Sequence, residues 1–266
     1  MSTVEQNNRE KRYPPVLDNG NSKPSFRFPS VSRSFVPSVF TVMNMVSGYG
    51  SIVMSSEGSF AVAGWLIFLA ALFDTVDGFV ARMTNGASEF GVELDSLSDL
   101  VSFGAAPAFL VYKFGLSSLG MPLGLILSSL LMVGSGLRLA RFNISLIGYH
   151  KESFSGLPTP AQAMTIAAFV LWMQSEPLLT GNSLHEALAL LTVVLAGLMV
   201  SKVNYDALPK PTLDSFRRYP FQMTAYVITI SCVLVFQAKA FFVAMLLYIL
   251  LGIVRSLTML VRQWQV

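Results

Sequence analysis

The sequence predicts an all-α polytopic transmembrane bundle of about eight spans, and three observations carry that expectation. Of 266 residues, 53% are hydrophobic and only 12% are charged. The mean hydropathy of +0.59 lies outside the usual range for a soluble domain. The apolar residues gather into stretches of roughly 18 to 24 residues, the length a helix needs to cross about 30 Å of hydrocarbon. Lys and Arg are sharply segregated between alternate connections, as a topology signal should be.

Taken in order, residues 1–33 are polar, proline-containing and mixed in charge, without the apolar core of a signal peptide. They read as a disordered basic cytosolic tail. Expected spans then cover 37–55, 60–83, 90–114, 121–142, 160–172, 184–201, 221–237 and 241–261, the fifth short enough to begin before Pro158. If the spans alternate, one face collects the tail together with Arg82, Arg138, Arg141, Lys151, Lys202, Lys210 and Arg255, while Lys113 and Lys239 stand alone on the other. The positive-inside rule therefore puts both termini in the cytosol, in a protein of the cell's inner membrane.

Within this apolar chain, Asp74 and Asp77 end the second stretch, and Asp95 and Asp99 open the third. On a helix, Asp74, Asp77, Gly78, Ala81 and Arg82 share one side, and Gly91, Asp95, Asp99 and Ser102 form a similar stripe. The connection between the stripes is short and contains Asn85-Gly86, so the helices should be antiparallel neighbours with their carboxylates converging. Carboxylates at membrane depth are costly and signal function. Hard oxygen ligands in this number suit Mg²⁺ or Mn²⁺, and a pair of ions would neutralise the cluster and clamp phosphate oxygens. Gly78 and Ala81 leave room for a ligand against the helix, and Arg82 could meet a phosphate. Such acids can also line an ion path or pair with arginines, so a cation transporter is the alternative from another class.

Other features exclude more than they assign. The net charge of +3 and pI near 9.0 are explained by juxtamembrane basic residues and anionic headgroups, and call for no nucleic acid. Cys232 is alone, so no intrachain disulfide forms. His150 and His185 fall in connections expected on opposite faces and cannot share a metal. Gly104, Pro107 and the G-L-P-T-P segment can bend helices or shape a cavity wall, and small residues such as Gly134, Ser135 and Gly136 permit close helix contact, compatible with a homodimer. The aromatic residues of the last two spans, Tyr248 among them, read as packing or lipid-facing.

The complete spacing D-x-x-D-G-x-x-A-R-x(8)-G-x-x-x-D-x-x-x-D, from Asp74 to Asp99, resembles the signature of the CDP-alcohol phosphatidyltransferases with every defined position filled. The segments L-V-S-F-G-A-A-P-A (100–108), R-L-A-R-F-N (138–143) and F-S-G-L-P-T-P-A (154–161) are similar to its integral-membrane phosphatidylserine synthase branch. Weaker likeness lies around Pro37, Thr41, Asn44 and Gly48 and in M-V-S-K-V-N-Y (199–205). The resemblance implies a six-helix catalytic core over 34–205, followed by a C-terminal transmembrane helix pair over 206–266. It also implies transfer of a phosphatidyl group from CDP-diacylglycerol to the hydroxyl of L-serine, releasing CMP. By the same resemblance Asp74, Asp77, Asp95 and Asp99 would hold two divalent ions and Asp99 would be the general base. Gly78, Ala81 and Arg82 would contact CDP, with Thr41 and Asn44 as further contacts.

Serine recognition asks for a cation, and Arg138 and Arg141 stand at i and i+3 near the cytosolic end of the fourth span. At least one of them should hold the serine carboxylate or a lipid phosphate, and Arg138, drawn further into the helix, is favoured for such a role; for Lys151, snorkelling to the interface is the simpler account. Within the family, glycerol 3-phosphate, inositol phosphate or choline remain alternative acceptors, and an ether-lipid donor remains open because nothing in the sequence reads the tails.

Overall fold

The computed structural model describes residues 35–84, 89–147, 156–203, 205 and 220–263, with side-chain burial for 39–80, 90–144, 156–203, 205 and 238–259. The amino-terminal tail and Lys151 lie outside the described residues. Among the described residues eight α-helices follow one another: α1 (Phe35–Ser56), α2 (Phe60–Thr84), α3 (Glu89–Asp99), α4 (Ala106–Phe114), α5 (Met121–Ile147), α6 (Thr159–Ser175), α7 (Asn182–Val200) and α8 (Pro220–Gln263). A π-helical turn, Leu100–Ala105, joins α3 to α4, and a 3₁₀ turn, Leu116–Leu119, precedes α5.

Among the described residues five stretches are long and apolar enough to cross a membrane: Phe60–Val80, Phe90–Phe114, Met121–Ile144, Asn182–Val200 and Ala238–Met259. Their outward faces carry Leu125, Ile126 and Val133 on α5 and Leu247, Leu250 and Leu251 on α8, all exposed. Apolar surface of this extent belongs against lipid, and the protein is an integral membrane protein.

α6 has 17 residues, about 26 Å of helix, and it is the central element rather than a lipid-facing one. Ala161, Ala163, Ile166, Ala167, Ala168 and Val170 are all buried, so apolar residues occupy every side of the helix. That is the pattern of a helix surrounded by protein. Around it the core is built from Ile67 on α2, Phe103 in the π turn, Leu110 on α4, Leu131 on α5 and Leu188 and Leu195 on α7.

α1 and α2 form a helical hairpin closed through Gly58, with the Ser59 N–H returning to the Met54 carbonyl (2.9 Å) and the Gly58 N–H to Ser55 (3.3 Å). This pairing satisfies the last carbonyls of α1. The start of α6 is fixed differently. Gly156 donates to the Val203 carbonyl (2.8 Å) and Leu157 to Leu198 (3.0 Å), tying the entry of α6 to the end of α7. Gly156 has φ +98°, and a Cβ there would stand 2.3 Å from the Met199 carbonyl oxygen. Glycine is required at that point both by conformation and by space.

The third expected span is one rod broken by the π turn, with Pro107 in the first turn of α4 offering no N–H to the Phe103 carbonyl four residues before it. At the C-terminus the expected spans 221–237 and 241–261 share one continuous helix, α8, of 44 residues, about 66 Å long. Nothing in Gln237-Ala238-Lys239-Ala240 breaks a helix, since all are good helix formers and neither Gly nor Pro intervenes. The polar interruption that marked a boundary in the sequence is carried inside the helix.

Candidate active site

Asp74 and Asp77 stand on the last turns of α2, and Asp95 and Asp99 on α3. Carboxylate oxygens of Asp74, Asp95 and Asp99 all lie within 4.8 Å of one another. Asp77 stands outside that triangle: one of its oxygens accepts a hydrogen bond from the Thr41 hydroxyl, and the other is buried with no partner. Like charges this close repel strongly away from bulk water. Such a grouping takes up protons or a counter-cation, and the donor set, all hard carboxylate oxygens, fits Mg²⁺ or Mn²⁺.

α1 is fastened to α3 by a ladder of polar contacts. Asn44 donates from Nδ2 to Asp99 Oδ1 (3.3 Å), Ser98 donates to the Thr41 carbonyl (2.9 Å), and Ser102 donates to the Asn44 carbonyl (2.8 Å). Thr41, Asn44, Ser98 and Ser102 are all buried. So close an approach requires Gly48, where a Cβ would fall 2.3 Å from Ser102 Oγ and 2.6 Å from its Cα. Each carboxylate helix thus has one acid oriented from α1, Asp77 by Thr41 and Asp99 by Asn44. The resemblance offered Thr41 and Asn44 as nucleotide contacts; their side chains are engaged with the carboxylates.

Beside the triangle opens a cavity of about 220 Å³ lined by Asp95, Ser96, Asp99, Arg138, Leu139, Phe142, Pro158, Thr159 and Pro160. It far exceeds the roughly 10–15 Å³ that admits one water. Two of its groups are buried with no partner, Arg138 Nε and the Thr159 hydroxyl. Ser96 is held by the Asn143 amide (3.0 Å). Asp95 and Asp99 belong to both the triangle and the cavity.

The two arginines part company. Arg138 lines the cavity, while the exposed Arg141 donates to the Val200 carbonyl (2.9 Å) at the C-terminal end of α7, where a cation is favoured. Gly78 is half-buried on α2 beside Asp77. Ala81 and Arg82 belong to the α2 backbone, but their side chains lie outside the described residues.

The family model described as CDP-alcohol phosphatidyltransferase matches residues 34–199, from α1 to the end of α7. The chain belongs to this family. Among curated relatives, the CDP-diacylglycerol--serine O-phosphatidyltransferase of Helicobacter pylori (strain 26695) is 35% identical over 230 residues, 85% of this chain and 92% of its own length. The protein of that name from Methanocaldococcus jannaschii is 34% identical over 217 residues, 81% of this chain and 90% of its own. The archaetidylserine synthase of Methanothermobacter thermautotrophicus is 37% identical over 172 residues, 64% of this chain and 69% of its own. The family segment therefore holds the carboxylates and the whole cavity lining, and α8 is outside it.

Sequence reasoning missed Thr159, although the G-L-P-T-P segment that carries it reads as a cavity wall. It also missed Ser96, Asn143 and Gln162, whose significance depends on partners far away in the chain. Tyr248, read as packing, stacks on Tyr205 at 5.6 Å between ring centres.

Proposed function

We propose that this chain is a phosphatidylserine synthase, transferring the phosphatidyl group of CDP-diacylglycerol to the hydroxyl of L-serine with release of CMP. The observation that carries the reading is the double membership of Asp99, at once in the carboxylate triangle and in the wall of the cavity with Arg138 and Thr159. A single side chain there can meet both the phosphate to be attacked and the hydroxyl that attacks it. The names of the relatives at 34–35% identity agree with this acceptor.

Asp74, Asp95 and Asp99, with the unpartnered oxygen of Asp77, would hold a pair of Mg²⁺ or Mn²⁺ ions. When bound, such ions neutralise the diphosphate and stabilise charge on the departing CMP. The protein's own part is positioning and proton transfer. The Arg138 guanidinium, with an uncommitted Nε in the cavity wall, pairs with the serine carboxylate, and the Thr159 hydroxyl offers a further hydrogen bond. Asp99 accepts the proton of the serine hydroxyl as the oxygen–phosphorus bond forms, a contribution of about 10²–10⁴-fold. The phosphorus–oxygen bond to CMP breaks, and its electron pair leaves with CMP. Asn44 holds Asp99 by one oxygen, leaving the other to work. By the family resemblance Thr41 and Gly78 would contact the nucleotide, and Arg82 a phosphate.

The Lys and Arg distribution supports a cavity and termini on the cytosolic side of the inner membrane, where serine and CMP are dissolved and the acyl chains stay in the bilayer. The archaeal relative named for archaetidylserine favours a second reading of the donor, one with ether-linked tails.

CMP release by purified protein with Mn²⁺ tests the reading, comparing CDP-diacylglycerol with its ether analogue, and L-serine with glycerol 3-phosphate, inositol phosphate and no acceptor. Serine-dependent release with phosphatidylserine identified by mass is expected. Release with another acceptor keeps the family and removes the serine assignment; preference for the ether donor selects the second reading. Metal-independent release removes the carboxylate mechanism.

A further inference from the structure

The helix that carries Asp95 and Asp99 does not continue as an α-helix. Leu100–Ala105 form a π-helical turn, whose extra residue shifts the phase of the helix beyond it by about 100°. With that shift, α3 turns Asp95 and Asp99 toward Asp74 while Phe103, Ala106, Leu110 and Val111 turn into the core. A π turn interrupts the regular backbone ladder, and Pro107, four residues beyond Phe103, has no N–H to offer, so the Phe103 carbonyl needs other donors.

The Phe103 carbonyl finds two. Gln162 Nε2 donates to it from α6, and Ser135 Oγ donates from α5 at 3.3 Å. Both side chains are fully buried. Gln162 Oε1 is enclosed without a partner, a desolvation cost that an apolar residue of the same size would not incur. α5 comes this near because residue 104 is glycine: a Cβ there would stand 3.2 Å from the Ser135 Cβ.

The three groups also stand one helical turn from three walls of the cavity. Phe103 follows Asp99 by four residues, Ser135 precedes Arg138 by three, and Gln162 follows Thr159 by three. We propose that the Phe103 carbonyl, held by Gln162 and Ser135, fixes the spacing and rotation of the carboxylate helix against the two helices that bring Arg138 and Thr159, with Gln162 the positioning residue for Asp95 and Asp99. The proposal rests on reading the carboxylates as a divalent-metal site. Without the Gln162 amide the Phe103 carbonyl loses its donor from α6, and the carboxylate helix loses the tie that sets its rotation relative to Arg138 and Thr159.

Full-length protein in detergent provides the test. Gln162→Met keeps the volume and removes both the donor and the orphaned oxygen, so the fold should survive; Ser135→Ala is the second variant. Thr165→Val is the control, because Thr165 is equally buried on α6 and its hydroxyl turns back to the Ala161 carbonyl (2.7 Å). The readouts are Mn²⁺ binding without substrate, followed by electron paramagnetic resonance of the free ion, then kcat, serine KM and melting temperature. Gln162→Met should weaken Mn²⁺ binding roughly 10–100-fold, the range for partners that orient metal ligands, with kcat falling alongside and Thr165→Val unchanged. Wild-type Mn²⁺ affinity in folded Gln162→Met overturns the proposal. Should that variant fail to fold, Ser135→Ala decides: weakened Mn²⁺ binding supports the proposal, and wild-type affinity overturns it. Absence of Mn²⁺ binding in the wild type overturns the metal reading beneath it.

Discussion

α6 treats polar groups in opposite ways at its two ends. At its start, Thr159 is 1% exposed and Gln162 is 0% exposed, and each faces a residue from another helix or the cavity. Just past its end, Glu176 pairs with Lys239 of α8 at 3.1 Å, with the two side chains 57% and 47% exposed. Hydrogen bonds from Lys239 and then from Trp172 hold the Glu176 carboxyl below its usual range. A wet ion pair of this kind can be lost with little consequence, because water replaces either partner. At the buried end Gln162 is enclosed by protein, so geometry there is dictated by which protein groups meet. The contrast separates a site from a fastening of the surface.

The largest effect expected at the buried end is that of Asp99→Asn, which keeps shape but removes a metal charge and the base. Its kcat should fall by about 10²–10⁴-fold or more with unchanged elution on size exclusion, and full activity would dissolve the distinction between the ends. Next is Arg138→Lys. A compact ammonium on a flexible stem replaces a planar fork, and a charge-assisted hydrogen bond worth roughly 1.5–3 kcal/mol is at stake. Serine KM should rise by one to two orders of magnitude, with the Mn²⁺ requirement unmoved.

Asn44→Leu sharpens the comparison further, since Asn44 touches Asp99 and not the cavity. The Mn²⁺ concentration for half-maximal activity should rise about 10–100-fold, and serine KM should stay near wild type. An equal rise in both constants would place Asn44 against substrate instead. Smallest is Lys239→Ala at the exposed end, for which kcat, KM and Mn²⁺ dependence should all match wild type. A loss of activity there would mean that α8 communicates with the cavity.

Much of this organisation is legible in the chain. The Asp74 to Asp99 spacing could be read because helical periodicity alone puts Asp74 with Asp77 and Asp95 with Asp99, and a short connection makes the two helices neighbours. The membrane helices could be read because hydrocarbon demands long apolar runs whatever their neighbours. A role for Arg138 could be read from its place further into the helix, but the turn of Arg141 to the Val200 carbonyl could not, because it depends on where α7 ends. Asn44 was noticed for its likeness to a first helix, but its partner Asp99 lies 55 residues on. Thr41, likewise, meets Asp77 across 36 residues.

The sequence by itself determined that this is a bundle of membrane helices with aspartates gathered near the ends of α2 and α3, because burial length and helical phase are local properties. Tertiary structure alone decided that three of those carboxylates close into a triangle while Asp77 turns to Thr41. It also decided that a π turn follows Asp99 and that α8 runs unbroken through Lys239. A buried hydrogen-bonding group must take whatever donor or acceptor the packing brings within about 3 Å, and that partner is set by how helices dock.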